Sequence, residues 1–262
     1  MKIFSKTGIA LGLAMAATVA LTACGGGDDD GIDDRLSISK PTVRVVHAIP
    51  AGPNVDVYQN GGKTSIVNVP YKFVSKYFDI DSDNDQTFSI NVAGTTTELG
   101  RTTFNGEHGH KYTVVALPGE GRADILTIDD PYGKGVFSDK ARVRGLNASF
   151  NAPNVDIYVT PANTNLANVT PTFANVGYKS AVPASGSDSI DLNGGDYVIR
   201  VTAAGTKTEI FNSGVVNIGN NADWLITTIP TDGISAVVPG NIKVLVAKAN
   251  DDAQTATELL DQ

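Results

Sequence analysis

The feature that most constrains this chain is a long internal repeat. Val43-Arg44-Val45-Val46-His47-Ala48 is followed one hundred residues later by Val143-Arg144-Gly145-Leu146-Asn147-Ala148, and at the same offset Pro53-Asn54-Val55-Asp56-Val57-Tyr58 meets Pro153-Asn154-Val155-Asp156-Ile157-Tyr158. Asn68-Val69-Pro70-Tyr71-Lys72 then matches Asn175-Val176-Gly177-Tyr178-Lys179 at offset 107, and Ala93-Gly94-Thr95-Thr96-Thr97-Glu98-Leu99 matches Ala204-Gly205-Thr206-Lys207-Thr208-Glu209-Ile210 at offset 111. Conserved order with an offset that only grows means two copies of one unit, the second lengthened by loop insertions, chiefly at 160–172. Loops accept such insertions because closure entropy rises slowly with length.

Within each copy the segments alternate apolar and polar with period two and are rich in Val, Ile, Thr and Tyr, which predicts strands. In the first copy they fall near 43–47, 55–59, 65–69, 75–80, 87–92, 98–104, 111–117 and 124–128, with Gly, Pro, Asn or Asp in nearly every gap. The 27 glycines, 12 prolines and 7% aromatics fit such turn-rich segments and disfavour helical bundles. The expected fold is all-β: two tandem immunoglobulin-like or fibronectin-like β-sandwich domains at 41–138 and 139–250, after a signal peptide and a flexible tether. Residues 251–262 are expected to form a short tail or a frayed helix capped by Asp251 or Asp252. The glycine-rich junction Tyr132-Gly133-Lys134-Gly135 predicts two separable folding units.

The N-terminus carries an address. Lys2 and Lys6 precede an apolar run from 9 to 21, which ends in Leu21-Thr22-Ala23-Cys24. A run this short falls below the roughly twenty residues of a spanning helix and reads as a secretory signal, residues 1–23, closed by a lipobox. A small residue before Cys24 admits the peptidase, the thiol accepts a diacylglyceryl group, and the amine freed by cleavage accepts a further, palmitate-type acyl chain. Cys24 is the only cysteine, so no disulfide forms within the monomer. Residues 24–40 hold five aspartates and few apolar side chains, which predicts a disordered tether lifting the domains off the lipid. Gly25 rather than aspartate after the cysteine points to the outer membrane. The net charge of −8, growing to −10 once the signal segment with its two lysines is removed, disfavours nucleic acid as a partner.

The segments VRVVHA, PNVDVY, NVPYK, AGTTTEL and KYTVVAL resemble the bacterial cell-envelope family called domain of unknown function 4397, in two copies over about 41–250. The second copy is looser: Asn147 replaces the histidine and Trp224 stands at Tyr112. The resemblance implies an immunoglobulin-like or fibronectin-like sandwich on exported proteins and supplies no catalytic residues.

Two clusters merit inspection for metals. Asp79, Asp81, Asp83 and Asp85 alternate as in a calcium loop, but an EF-hand wants Gly at its sixth position and Glu at its twelfth, where Asn84 and Ile90 stand. An acidic hairpin turn is the main reading. His108 and His110 would share a face if they lay on a strand, yet only Glu107 is near as a further ligand. Gly61-Gly62-Lys63-Thr64 lacks both the earlier glycine and the following helix of a phosphate loop. Asp56 and Asp156 are read as turn or cross-strand residues, with Arg44 and Arg144 as candidate partners. Tyr58, Tyr71, Tyr158 and Tyr178 are read as core or corner residues rather than a sugar-stacking face. No cofactor and no catalytic set is expected. The function expected is a non-enzymatic, lipid-anchored structural, adhesion or interaction protein with an envelope protein or glycan partner. The alternative is a binding protein for a metal ion or small glycan.

Overall fold

A computed structural model describes residues 31–249 and 256–262; the signal segment and Cys24 lie outside the described residues. A helical turn, α1 (Ile32–Arg35), leads into the first repeat: β1 (Thr42–His47), β2 (Val55–Gln59), β3 (Gly62–Lys63), β4 (Phe78–Asp79), β5 (Asp85–Val92), β6 (Glu98–Asn105), β7 (Lys111–Pro118) and β8 (Ala123–Asp130). The second repeat comprises β9 (Ala141–Asn147), β10 (Val155–Pro161), β11 (Phe173–Val176), β12 (Ser180–Val182), β13 (Ile190–Leu192), β14 (Gly195–Ala203), β15 (Glu209–Ile218), β16 (Asp223–Pro230), β17 (Ile242–Ala249) and β18 (Ala256–Leu259).

Each repeat is a β-sandwich. In the first, sheet β4-β1-β7-β8 faces sheet β3-β2-β5-β6; in the second, β12-β9-β16-β17-β18, with β13 also on β9, faces β11-β10-β14-β15. β1 runs parallel to β7 and β9 parallel to β16, while the other strand pairs are antiparallel. Alternation selects the two cores. Val43, Val45, Val57, Phe88, Ile90 and Val114 fill the first, and Val143, Ile157, Phe173, Ile199, Phe211 and Ile226 fill the second.

One face of each strand is accounted for in this way, yet β1 and β9 are buried at every residue. Their other faces meet each other. Val46, Ala48, Val115, Leu117 and Ile128 of the first repeat pack with Leu146, Ala148, Leu225, Ile229 and Leu245 of the second in a third apolar cluster. The two inner sheets therefore stack back to back, making four layers. Equivalent positions meet across this interface: Val46 corresponds to Leu146 and Ala48 to Ala148, the pattern of an isologous contact.

The interface changes character along the strands. At the end where β1 and β9 begin, Arg44, Lys111, Arg142 and Arg144 are buried together with Asp130 and Asp223. Asp130 accepts from Arg142 Nη2 at 2.7 Å and from Ser189 Oγ at 2.7 Å, with Arg144 Nη2 at 3.5 Å. Burial pushes the Asp130 carboxyl up, but Arg142 and Arg144 outweigh it and hold the group below its ordinary value. Tyr132 lies beneath two cations, Lys111 Nζ at 3.9 Å and Arg142 at 4.2 Å from the ring centre. At the opposite end the contact is a reciprocal pair of tyrosines. Tyr71 Oη donates to the Pro230 carbonyl at 2.7 Å, and Tyr178 Oη donates to the Pro118 carbonyl at 2.7 Å. Pro118 and Pro230 close the equivalent strands β7 and β16, so each repeat latches the other in the same way.

Several expectations need correction. The interface opposes the independence that the glycine-rich junction predicts, because splitting the halves would expose buried charge as well as apolar surface. The strand expected at 65–69 reduces to a bridge between Val55 and Val69. The strand expected at 75–80 reduces to β4, because the Ser75 hydroxyl takes the Val45 N–H at 2.8 Å and interrupts the ladder. Residues 31–40, expected to belong to the tether, are docked: Arg35 Nη1 donates to Val136 O at 2.7 Å and Ser138 O at 2.8 Å, and Asp34 lies 3.4 Å from Lys111. The described part of the expected C-terminal helix is instead β18, which covers the edge of β17.

The latch gives a direct test. Tyr71→Phe and Tyr178→Phe each remove one hydrogen bond while keeping the ring, so each should lower stability by about 1 kcal/mol. Urea denaturation of the two variants should show similar losses, and a loss in one alone would contradict the equivalence of the two contacts.

Candidate functional site

The residues shared by the repeats build loops. Asp56 accepts the Asn68 N–H at 2.8 Å, the Gly94 N–H at 2.9 Å and the Lys63 ammonium at 2.7 Å. Asp156 accepts the equivalent N–H groups of Asn175 at 2.7 Å and Gly205 at 2.8 Å. Gly94 and Gly205 have φ of 73° and 76°, a left-handed turn that glycine adopts without strain. Each aspartate thus ties two turns to its strand, and neither is bonded to the arginine suggested for it. Arg44 Nε instead reaches Thr113 Oγ1 at 3.0 Å, and Arg144 Nη1 reaches the Ala184 carbonyl at 3.0 Å. Hydrogen bonds from Lys63, Gly94 and Asn68 hold the Asp56 carboxyl down at about 2.

His47 and Asn147 also serve loops. The Ile49 N–H donates to His47 Nδ1 at 3.3 Å, which leaves Nε2–H to face the Pro53 carbonyl at 3.2 Å. Asn147 repeats the pattern, taking the Ser149 N–H at 2.9 Å and lying 3.5 Å from Pro153 O. Burial holds the His47 imidazole below its ordinary value, in the neutral form these contacts require.

The metal candidates are not brought together. Asp79, at the end of β4, Asp81 and Asp83, on the turn, and Asp85, at the start of β5, are all exposed. Gly109 adopts φ of 75°, so His108 and His110 flank a turn rather than share a strand face. His110 Nδ1 lies 2.7 Å from Asp129, whereas His108 Nδ1 lies 3.1 Å from the Ser39 carbonyl and its Nε2 3.8 Å from Asp83. Among the described residues no three His, Cys, Asp or Glu side chains gather as metal ligands. Cys24, the lipidation candidate, lies outside the described residues.

One concavity among the described residues lies in the first sandwich. A groove of about 660 Å³ opens at its lateral edge, between the β2–β3 hairpin and the stretch leading into β4. Its apolar lining comes from Ile66, Phe73 and Phe78, and polar atoms come from Gln59, Thr64 and Lys76. This volume is in the range of small-ligand sites. Comparison of the repeats explains the groove. Ile66 aligns with Phe173, and Val45 with Gly145. A Cβ on Gly145 would stand 2.7 Å from the Phe173 ring, so glycine there lets the larger side chain enter the core completely. The first repeat has valine opposite a smaller, half-buried Ile66. Its β2–β3 hairpin also lacks the insertion that carries buried Leu166 in the second. Sequence reasoning missed this site. Its signal was the paired change Val45/Ile66 to Gly145/Phe173, together with the stretch Phe73-Val74-Ser75-Lys76-Tyr77-Phe78, which has no aromatic counterpart in the second copy.

Residues 41–158 match the family described as Domain of unknown function (DUF4397). The match spans the first repeat, β9 and the first part of β10. No curated protein matches the chain. Among solved structures, the chain has a similarity to CBMbc (family CBM26) from Eubacterium rectale Amy13K in complex with maltoheptaose. The identity is 10%, with 81% of this chain and 99% of that chain covered, and the TM-score of 0.22 is too low to support inference about ligand or role. No helix among the described residues is long and apolar enough to cross a membrane.

The low pKa of Asp56 fixes the sign of a pH effect. A carboxyl held below its ordinary value of about 4 stabilises the fold above that pH and loses the contribution as pH falls toward 2. Asp56→Asn should therefore lower the thermal midpoint at neutral pH, and its gap from the unsubstituted protein should close on acidification through this window. A gap independent of pH would show that the carboxylate charge is not what holds the two turns.

Proposed function

We propose that the protein is a non-enzymatic, lipid-anchored component of the cell envelope that presents a paired β-sandwich body and engages an envelope protein or glycan through the groove of its first sandwich. The groove carries this reading: it is a feature by which the first repeat departs from the second, and its apolar lining is left open in one copy where the other seats a phenylalanine. The polar residues at equivalent positions of the two copies support a non-catalytic role, since Asp56, Asp156, His47 and Asn147 are occupied with turns, and Arg44 and Arg144 with the interface. The lipobox ending at Cys24 supports lipidation and an outer-membrane address.

One experiment in cells tests both parts. A photo-crosslinking p-benzoylphenylalanine in place of Ser65, at the groove mouth, should give an adduct with an envelope component, whereas the same group at exposed Val215 on the second sandwich should not. Equal labelling at the two positions, or none at position 65, would contradict the groove assignment. Cys24→Ala should move the protein from the membrane to the soluble fraction while leaving its folded spectrum unchanged. Unaltered fractionation would contradict the anchor.

A further inference from the structure

The docking of residues 31–40 changes where the body can stand. Cys24 and Gly31 are separated by six residues. Such a segment spans at most about 25 Å when fully extended and has an r.m.s. reach of about 15 Å when flexible. The chain enters the body beside an exposed apolar patch. Ile32 is 63% exposed, Leu36 50%, Ile38 61% and Phe137 99%. Arg35 of α1 bonds the carbonyls of Val136 and Ser138, the two neighbours of Phe137, so Phe137 and the residues of α1 lie at the same end of the body. Arg35 Nη2 also reaches Asn221, just before β16, which places the patch at the end where β16 begins.

We propose that this end of the molecule rests in the headgroup layer of the membrane that carries the anchor, with Phe137, Ile32, Leu36 and Ile38 inserted among the lipids. The proposal rests on the lipidation of Cys24 proposed above. The short connection holds the patch within reach of the bilayer, and a lipid surface is the apolar partner that the anchor itself supplies. Charges around the patch are of both signs, with Asp33 and Asp139 against Lys40 and Lys140. Contact is therefore made by apolar insertion and does not depend on electrostatic attraction to the headgroups. The β16–β17 hairpin provides an internal control. It also carries exposed apolar side chains, with Ile234 90% exposed, but stands at the opposite end of β16. Eight residues of strand put roughly 25 Å between the two ends.

The test uses the lipidated mature protein on vesicles of phosphatidylethanolamine and phosphatidylglycerol with brominated acyl chains. Cys24 is blocked by its lipid, so an environment-sensitive dye can be attached through Phe137→Cys or, separately, Ile234→Cys. The dye at position 137 should be quenched several-fold more than the dye at 234, with no loss as salt is raised. Equal quenching at the two positions, or no quenching at 137 in protein that floats with the vesicles, would overturn the proposal while leaving the anchor intact. Protein that does not float and shows no acyl mass on Cys24 would overturn the anchor reading and the proposal with it.

Discussion

A strand buried on both faces needs apolar or paired groups on both, and β1 and β9 are two such strands lying against each other. The rest of the architecture depends on this contact. Their inward residues make two separate cores; their outward residues make a third, shared one. A buried arginine is costly unless paired, so Arg142 and Arg144 of the second repeat require Asp130 of the first. The charge cluster at one end and the tyrosine latches at the other bracket the apolar middle, which fixes the register of the two sandwiches as well as their adhesion.

Viewed from this interface, the repeated sequence segments acquire separate physical tasks. The aspartate in PNVDVY and its equivalent hold two turns each, and the tyrosines of NVPYK and NVGYK cross to the other repeat. Lys72 and Lys179 follow those tyrosines in left-handed backbone, with φ of 72° and 63°. Lys72 pairs with Asp232 at 2.7 Å and Glu258 at 2.6 Å, and Lys179 pairs with Asp124. Each repeat thus sends the same Tyr-Lys dipeptide onto its neighbour. What is common to the copies is scaffold, and the open groove beside Ile66 is one of the features that differ between them.

Much of this was legible in the sequence. Alternation and turn residues located most of the strands, and the drifting offset located the insertion at 160–172. The failures have physical reasons. Val-Arg-Val-Val reads as a half-exposed strand, since alternation reports which face is polar but not whether that face meets water or a sister sheet. The tyrosine hydroxyls bond carbonyls 159 and 60 residues away, contacts that no local pattern encodes. Residues 31–40 read as tether because composition cannot show that Arg35 finds carbonyls about a hundred residues further along. The acidic stretch, read mainly as a hairpin turn, is exposed, and the left-handed Gly109 puts the two histidines on different partners.

The central claim is that the shared interface makes two homologous sandwiches one cooperative body. Scanning calorimetry of the mature chain with Cys24→Ala, which removes the lipidation candidate and leaves every described contact in place, tests it most directly. The account expects one transition in which the calorimetric and van't Hoff enthalpies agree, because neither half retains its buried charges and apolar face without the other. Two resolved transitions, each carrying about half of the total heat, would contradict it.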